Sequence, residues 1–353
     1  MQRVDPELRR GLEYYLKLFP ARREPPGPER VAPMREGSRA LSKPILSEPA
    51  VVEKTIPGAA GAPDVLVYVI NADPAVPRPV ILHIHGGGFF AGSATSGLAD
   101  LQVQAKALDC TIVTVEYRLA PETPFPGALE DNYAALRWVY HNAESLGVDP
   151  TRIALQGESA GGGHAAMLAL AARERGEVPL CFQSLIFPML DDRTGSSRQP
   201  ADHIGTFLWT RELNVLGWSC LLGSPPGGQT VPEGASPARA VDVAGLPPTF
   251  IAVGDLDLFV EEDIAFASRL IAAGVATELL VAPGAPHGFQ MLGPDSRVSR
   301  RFHLAHLNAF ARAFDRHEFF EVPEAAPRAA PTTGAQRRES HEAPQARHGT
   351  TGA

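Results

Sequence analysis

A serine between two glycines is the first place in the chain where residue types and spacing could support covalent chemistry. Gly157, Ser159 and Gly161 form a Gly-x-Ser-x-Gly pattern, preceded at 152–155 by an apolar run that predicts a buried strand. The segment 165–172 that follows is rich in helix formers. A sharp strand-to-helix turn strains the serine backbone, raises the hydroxyl above the sheet and places it near the positive end of a helix dipole. The pattern therefore predicts a nucleophilic serine.

A serine hydroxyl near neutral pH needs a base to accept its proton, and the base needs an acid to orient it. Six histidines follow Ser159 in the part of the chain that is expected to fold: His164, His203, His287, His303, His306 and His317. Only His287 lies in a short loop directly after a predicted strand, between Pro286 and Gly288. We therefore predict that His287 is the base.

The acid is expected in the loop after the predicted strand at 249–253. Asp255 and Asp257 both lie there, whereas Asp263 lies inside the helix that follows. Strand-end loops present both early aspartates near the same edge of a sheet, and each aspartate could instead have a turn or helix-capping role. The spacing alone favours neither Asp255 nor Asp257.

Three consecutive glycines, Gly86, Gly87 and Gly88, follow the predicted strand 79–85. Backbone N–H groups in such a loop face outward without hindrance and can stabilise an oxyanion. The preceding His85 is expected to brace the loop by hydrogen bonding and to have no part in proton transfer. A glycine loop before a serine elbow is the arrangement of lipases and esterases.

Composition excludes several other function classes. The chain has 353 residues and a formal net charge of −8, which argues against nucleic acid or an anionic membrane as a partner. Three cysteines are too few and too scattered for a disulfide framework or a zinc site. The sequence has no signal-peptide pattern and no apolar run long enough to span a membrane, so a cytoplasmic location is predicted.

Predicted strands alternate with predicted helices, which indicates an α/β fold with a mostly parallel sheet covered on both faces. A helix is predicted at 5–19 and an irregular connector at 20–50. Between Asp191 and Val243 nothing has the pattern of a sheet strand. The predicted organisation is a first cap segment (1–50), a core (51–190), a cap insertion (191–243), the rest of the core (244–321) and a disordered tail rich in Pro, Ala, Arg and Thr (322–353).

Five motifs, in order and at matching spacing over roughly 65–315, resemble one known family. They are His85-Gly86-Gly87-Gly88-Phe89, Tyr117-Arg118-Leu119-Ala120-Pro121-Glu122, Gly157-Glu158-Ser159-Ala160-Gly161, Gly254-Asp255-Leu256-Asp257 and His287-Gly288-Phe289. The chain resembles the hormone-sensitive-lipase family of α/β-hydrolases, the bacterial family IV carboxylesterases. The resemblance implies the α/β-hydrolase fold, with a cap built from the N-terminal segment and the insertion.

The resemblance also implies a catalytic triad of Ser159, His287 and Asp257, the second aspartate of its loop. It implies oxyanion donors at the N–H groups of Gly87, Gly88 and Ala160. The implied reaction is hydrolysis of short- to medium-chain carboxylic esters through an acyl-enzyme, with no metal or organic cofactor and with a homodimer as a possible assembly. The sequence departs from the family pattern at Glu158, where aspartate is frequent, and this change is expected to alter local hydrogen bonding only.

Two other functions remain open from the residues. The same triad could hydrolyse an amide, a lactone or a carbamate, because specificity depends on the pocket walls. The fold could also serve as a non-catalytic receptor for a small molecule. Receptors that resemble this family lack the catalytic histidine, so His287 disfavours this alternative.

Overall fold

The computed structural model describes residues 1–18, 26–40, 44–319 and 321, without the side chains of 38–40. The predicted disordered tail at 322–353 lies outside the described residues, as does the predicted end of the first helix at Phe19 and Pro20.

An eight-stranded sheet forms the centre of the fold. The strands are β1 (Val51–Ile56), β2 (Val65–Ile70), β3 (Arg78–Ile84), β4 (Thr111–Glu116), β5 (Val148–Glu158), β6 (Phe182–Ile186), β7 (Thr249–Gly254) and β8 (Thr277–Ala282). Their order is β1-β2-β4-β3-β5-β6-β7-β8, and only the β1–β2 and β2–β4 pairs are antiparallel. The prediction of an α/β-hydrolase fold with a mostly parallel sheet is confirmed.

The register of the parallel strands brings the chemistry to one edge of the sheet. Ile84 at the end of β3 pairs with Gly157 near the end of β5. Gly254 at the end of β7 pairs with Ala282 at the end of β8. The loops that follow these four strands therefore leave the same edge of the sheet, with β6 between the two pairs.

Helices cover both faces of the sheet. They are α1 (Pro6–Leu18), α2 (Val31–Ala40), α3 (Leu98–Leu108), α4 (Gly127–His141), α5 (Ala143–Leu146), α6 (Ala160–Arg175), α7 (Arg211–Leu222), α8 (Val260–Ala272), α9 (Phe289–Leu292) and α10 (Arg297–Ala313). Helices α4 and α6 pack in the apolar core on one face, and α3 and α10 pack in the core on the other. Strands β3, β4 and β7 are buried along nearly their whole length, as expected for strands covered on both faces.

The sequence prediction was wrong at two elements near the N-terminus. The segment 20–50, predicted as an irregular connector, contains helix α2. The prolines of this segment indicated a connector, although a proline in the first turn of a helix, such as Pro33, is tolerated. The edge strand β1 was also missed, because most of its side chains are exposed and it lacks the apolar pattern of a buried strand.

The insertion 191–243 contributes no strand to the sheet, as predicted, but it does contain helix α7. Within the described residues, none of the helices has the length and apolar content needed to cross a bilayer.

Candidate active site

The serine elbow joins β5 to α6 through Ser159, whose backbone has φ 58° and ψ −122°. Such a conformation is strained for a residue with a side chain, and here backbone hydrogen bonds hold it. The Ser159 N–H donates to the Ile186 carbonyl at 2.9 Å, and the Ser159 carbonyl accepts from the Met189 N–H at 3.0 Å. Gly161 is required because a Cβ at this position would overlap the backbone carbonyls of Ile84 and His85.

The three residues predicted as a triad meet above the sheet edge. His287 Nε2 lies 3.0 Å from Ser159 Oγ, and His287 Nδ1 lies 2.7 Å from Asp257 Oδ2. Asp257 is fully buried, and Ser159 and His287 are 8% and 9% exposed. Nε2 is therefore placed to take the serine proton while Nδ1–H donates to the carboxylate, which is the geometry of a nucleophile, a base and an orienting acid.

The two aspartates that the spacing left open have different partners. Asp257 Oδ1 accepts the Phe259 N–H at 3.1 Å, which leaves Oδ2 for His287. Asp255 Oδ1 accepts the Gly284 N–H at 2.7 Å and so fastens the loop that carries His287. Asp255 therefore supports the histidine loop through the backbone of Gly284. Of the two aspartates, Asp257 is the one that contacts the imidazole.

The glycine loop lies against the serine elbow. A Cβ added at Gly86 would lie 3.4 Å from Cβ of Ser159. Neither the Gly87 N–H nor the Gly88 N–H donates a hydrogen bond to another described residue. Ala160 follows Ser159 as the first residue of α6, so its N–H is one of the free donors of a helix N-terminus. These are the three N–H groups that the resemblance implies as oxyanion donors, and that role stays a prediction.

His85 has the bracing position that the sequence predicted. Its Nδ1 is 2.9 Å from the Gly86 carbonyl oxygen, and its ring stacks on Tyr117 with centroids 4.2 Å apart. The Tyr117 hydroxyl donates to the His85 carbonyl at 2.7 Å. Burial lowers the pKa of His85 to about 4, so the ring is neutral at neutral pH and donates through Nδ1–H.

Known proteins resemble this chain in sequence and in fold. A family model for the alpha/beta hydrolase fold matches residues 81–291. Carboxylesterase NlhH of Mycobacterium tuberculosis is 35% identical over 302 residues, which cover 81% of this chain and 88% of that protein. Esterase LipI of the same organism is 35% identical over 264 residues, which cover 72% of this chain and 80% of that protein. The solved structure of a bacterial heroin esterase has a TM-score of 0.80 at 39% identity and covers 89% of this chain and 98% of its own.

The chain belongs to the hormone-sensitive-lipase-like carboxylesterases of the α/β-hydrolase fold.

Within this carboxylesterase fold, Glu158 at the elbow has its own hydrogen-bond network. Its Oε2 lies 2.9 Å from His83 Nε2, and its Oε1 accepts from the Gln156 amide at 3.1 Å. Burial alone would raise the pKa of Glu158, but His83 and Gln156 outweigh it and hold that pKa below its ordinary value. Glu158 therefore bonds to side chains of β3 and β5, and the effect of the departure from aspartate stays a prediction.

An aromatic wall that the sequence did not predict lies beside His287 in this carboxylesterase. Trp209, from the insertion, lies directly over Gly88, where a Cβ would overlap the six-membered ring of the indole. The ring centroids of Trp209 and His287 are 6.3 Å apart. Phe187 and Phe259 pack against the same imidazole, with centroids 4.8 Å and 5.3 Å away. An isolated Phe-Leu-Trp run carries no sequence signal for this placement.

Arg35 fastens helix α2 to the segment that follows the glycine loop and to the loop after β4. The guanidinium donates to the carbonyls of Phe90 at 2.7 Å and Ala120 at 2.9 Å. It also forms a bidentate ion pair with Glu122, with N–O distances of 2.9 Å and 2.6 Å. Glu122 is the last residue of the Tyr117–Glu122 motif. Through Arg35, this motif attaches helix α2 to the segment that follows the glycine loop.

Proposed function

We propose that the protein is a serine carboxylesterase that hydrolyses short- to medium-chain esters through an acyl-enzyme intermediate. The observation that carries the proposal is the continuous chain of contacts from Ser159 Oγ through His287 to Asp257, at 3.0 Å and 2.7 Å. The carboxylesterase relatives support the same reaction.

In the proposed mechanism, His287 Nε2 takes the proton of Ser159 as Oγ attacks the ester carbonyl. The N–H groups of Gly87, Gly88 and Ala160 stabilise the oxyanion. Protonated His287 then gives its proton to the leaving alcohol, and the acyl group stays on Oγ. Water, deprotonated by the same nitrogen, attacks the acyl-enzyme and releases the acid. Asp257 keeps the Nδ1–H tautomer in place and stabilises the imidazolium.

The domain organisation is part of the proposal. We assign 1–50 and 191–243 to a cap over the core segments 51–190 and 244–321. The hydrogen bond from Arg35 to the Phe90 carbonyl, next to the glycine loop, and the position of Trp209 over Gly88 support this assignment. We propose a cytoplasmic location, which the three free cysteines support. A homodimer through the edge strand β8 is likewise proposed, and light scattering would test it.

A panel of substrates tests the function. Wild type and Ser159→Ala would be assayed with p-nitrophenyl esters of increasing acyl length, an anilide and a lactone. We expect ester turnover that falls roughly 10³-fold or more in the variant, with an unchanged melting temperature. Turnover of the anilide or the lactone alone would assign the site to that bond. Stoichiometric labelling by a serine-reactive phosphonate without turnover of any ester would contradict the esterase function and favour a receptor.

A further inference from the structure

The wall residue Trp209 is held more firmly than an isolated surface aromatic. It is only 6% exposed. The backbone N–H of Trp209 donates to the Phe207 carbonyl at 2.7 Å, and the residue between them, Leu208, has a positive φ of 60°. Such a three-residue turn is rare and strained for a residue with a branched side chain. A strained turn persists only where its surroundings determine it, and it is frequent at ligand-binding positions.

A chain of buried hydrogen bonds fixes the indole in place. Trp209 Nε1–H donates to Asn214 Oδ1 at 3.1 Å, and Asn214 Nδ2 donates to the Thr194 carbonyl at 2.7 Å. The Thr194 hydroxyl in turn donates to Glu262 on α8. Glu262 also accepts the N–H groups of Leu190 and Asp191. Asn214 and Glu262 are almost completely buried, so the network is shielded from competing water.

The side of the site that Trp209 closes follows from the geometry of the reaction. The leaving oxygen must lie near His287 Nε2, because that nitrogen protonates it. The oxyanion must lie at Gly87, Gly88 and Ala160. The fourth substituent of the tetrahedral carbon, the acyl chain, then runs past the glycine loop on the side away from the imidazole. The six-membered ring of Trp209 lies over Gly88 and so borders the glycine-loop side of the carbonyl, while its centroid is 6.3 Å from that of the His287 ring.

We propose that Trp209 is a specificity-determining residue that limits the length of the acyl chain, so that the substrates are esters of short carboxylic acids. Asn214 acts as a positioning residue that keeps the indole over Gly88. This inference rests on the proposed esterase function. The alcohol part of the ester, on the His287 side, is not restricted by this residue.

The test is an acyl-length profile of wild type, Trp209→Phe and Trp209→Ala with p-nitrophenyl acetate, butyrate, hexanoate and octanoate. In Trp209→Ala, the ratio of kcat/KM for octanoate to kcat/KM for acetate should rise about tenfold or more, since each methylene that a wall excludes has an effect of that order. Trp209→Phe should give a smaller rise. Asn214→Ala should shift the ratio in the same direction, because the indole loses its anchor. Trp138→Ala, which removes an indole from α4, is the matched control and should leave the ratio unchanged.

A second series of substrates keeps the acyl group as acetyl and lengthens the alcohol. It shows whether Trp209 borders the acyl part or the alcohol part of the ester. An unchanged acyl ratio in folded Trp209→Ala, or a shift confined to the alcohol series, would overturn the assignment. Failure of the esterase function itself is distinguishable, because wild type would then turn over none of the acetates. If Trp209→Ala does not fold, the ratio in Trp209→Phe and Asn214→Ala decides in the same way.

Discussion

Replacing Asp257 with asparagine should inactivate the enzyme for a reason that the hydrogen bonds make specific. One carboxylate oxygen accepts the Phe259 N–H, and the other contacts His287 Nδ1. An asparagine side chain has only one oxygen, and the Phe259 N–H requires it. The amide NH₂ must then face Nδ1, which becomes an acceptor. The imidazole proton moves to Nε2, and the nitrogen that should take the Ser159 proton is no longer a base.

The magnitude follows from the loss of the correct tautomer. A triad with an asparagine in the acid position loses about 10⁴ in kcat in the serine protease that serves as the reference case, which corresponds to about 5 kcal/mol of transition-state stabilisation. We expect roughly 10³ to 10⁴ here. The side chain keeps its size and its bond to Phe259, so the melting temperature should change little.

Asp255→Asn is the matched control for this experiment. The asparagine retains an oxygen for the Gly284 N–H, so the histidine loop keeps its anchor and kcat should fall less than about tenfold. Both variants would be assayed with p-nitrophenyl acetate for kcat and KM, and by thermal unfolding. Equal losses in the two variants, or a folded Asp257→Asn enzyme within tenfold of wild type, would refute the assignment of the acid.

Two further predictions concern buried titratable groups and the pH dependence of the free energy of unfolding. His164 is buried, neither nitrogen has a hydrogen-bond partner among the described residues, and burial lowers its pKa to about 3. Because the unfolded chain binds a proton near pH 6.5 that the folded chain does not, the wild type loses stability as the pH falls, and His164→Leu should gain about 2 kcal/mol relative to it between pH 7 and pH 5. Equal differences in urea unfolding at the two pH values would contradict this. Asp263 is also buried without a described partner, and burial, together with the charges of Glu262 and Asp257, raises its pKa well above the ordinary value. Above about pH 4 the unfolded chain releases a proton that the folded chain keeps on Asp263, so the wild type becomes less stable as the pH rises. Asp263→Asn should therefore stabilise the protein more at pH 8 than at pH 5. A pH-independent difference in the free energy of unfolding between the two proteins would contradict this prediction.

The fold and the contact between Ser159 and His287 could be predicted because short-range patterns encode them. Gly157, Ser159 and Gly161 are spaced by the requirements of one turn, and His287 follows β8, whose carboxyl end lies at the same edge of the sheet with β6 and β7 in between. The choice between Asp255 and Asp257 could not be made from spacing. It depends on which backbone N–H each carboxylate accepts, and that is decided by the path of the loop in three dimensions.

The elements that the sequence did not predict depend on tertiary contacts. Strand β1 is exposed and is stabilised by pairing with β2, so its side chains carry no burial pattern. Helix α2 is held by Arg35 bonds to residues 55 to 87 positions away. The network from Trp209 through Asn214 to Glu262 joins residues far apart in the chain, and no local pattern specifies such contacts.

The two proposals place catalytic ability and substrate choice in different parts of this chain. The groups proposed for bond cleavage lie on loops of the sheet, and their positions follow from strand register and a few glycines. The residue proposed to limit the acyl chain lies in the insertion, next to the strained Leu208, and its indole N–H donates to Asn214. Since the indole contributes no atom to the triad, substitutions at 209 and 214 should change which esters are hydrolysed while the sheet loops retain the chemistry. Substitutions at 159, 257 and 287 should lower turnover of every ester alike.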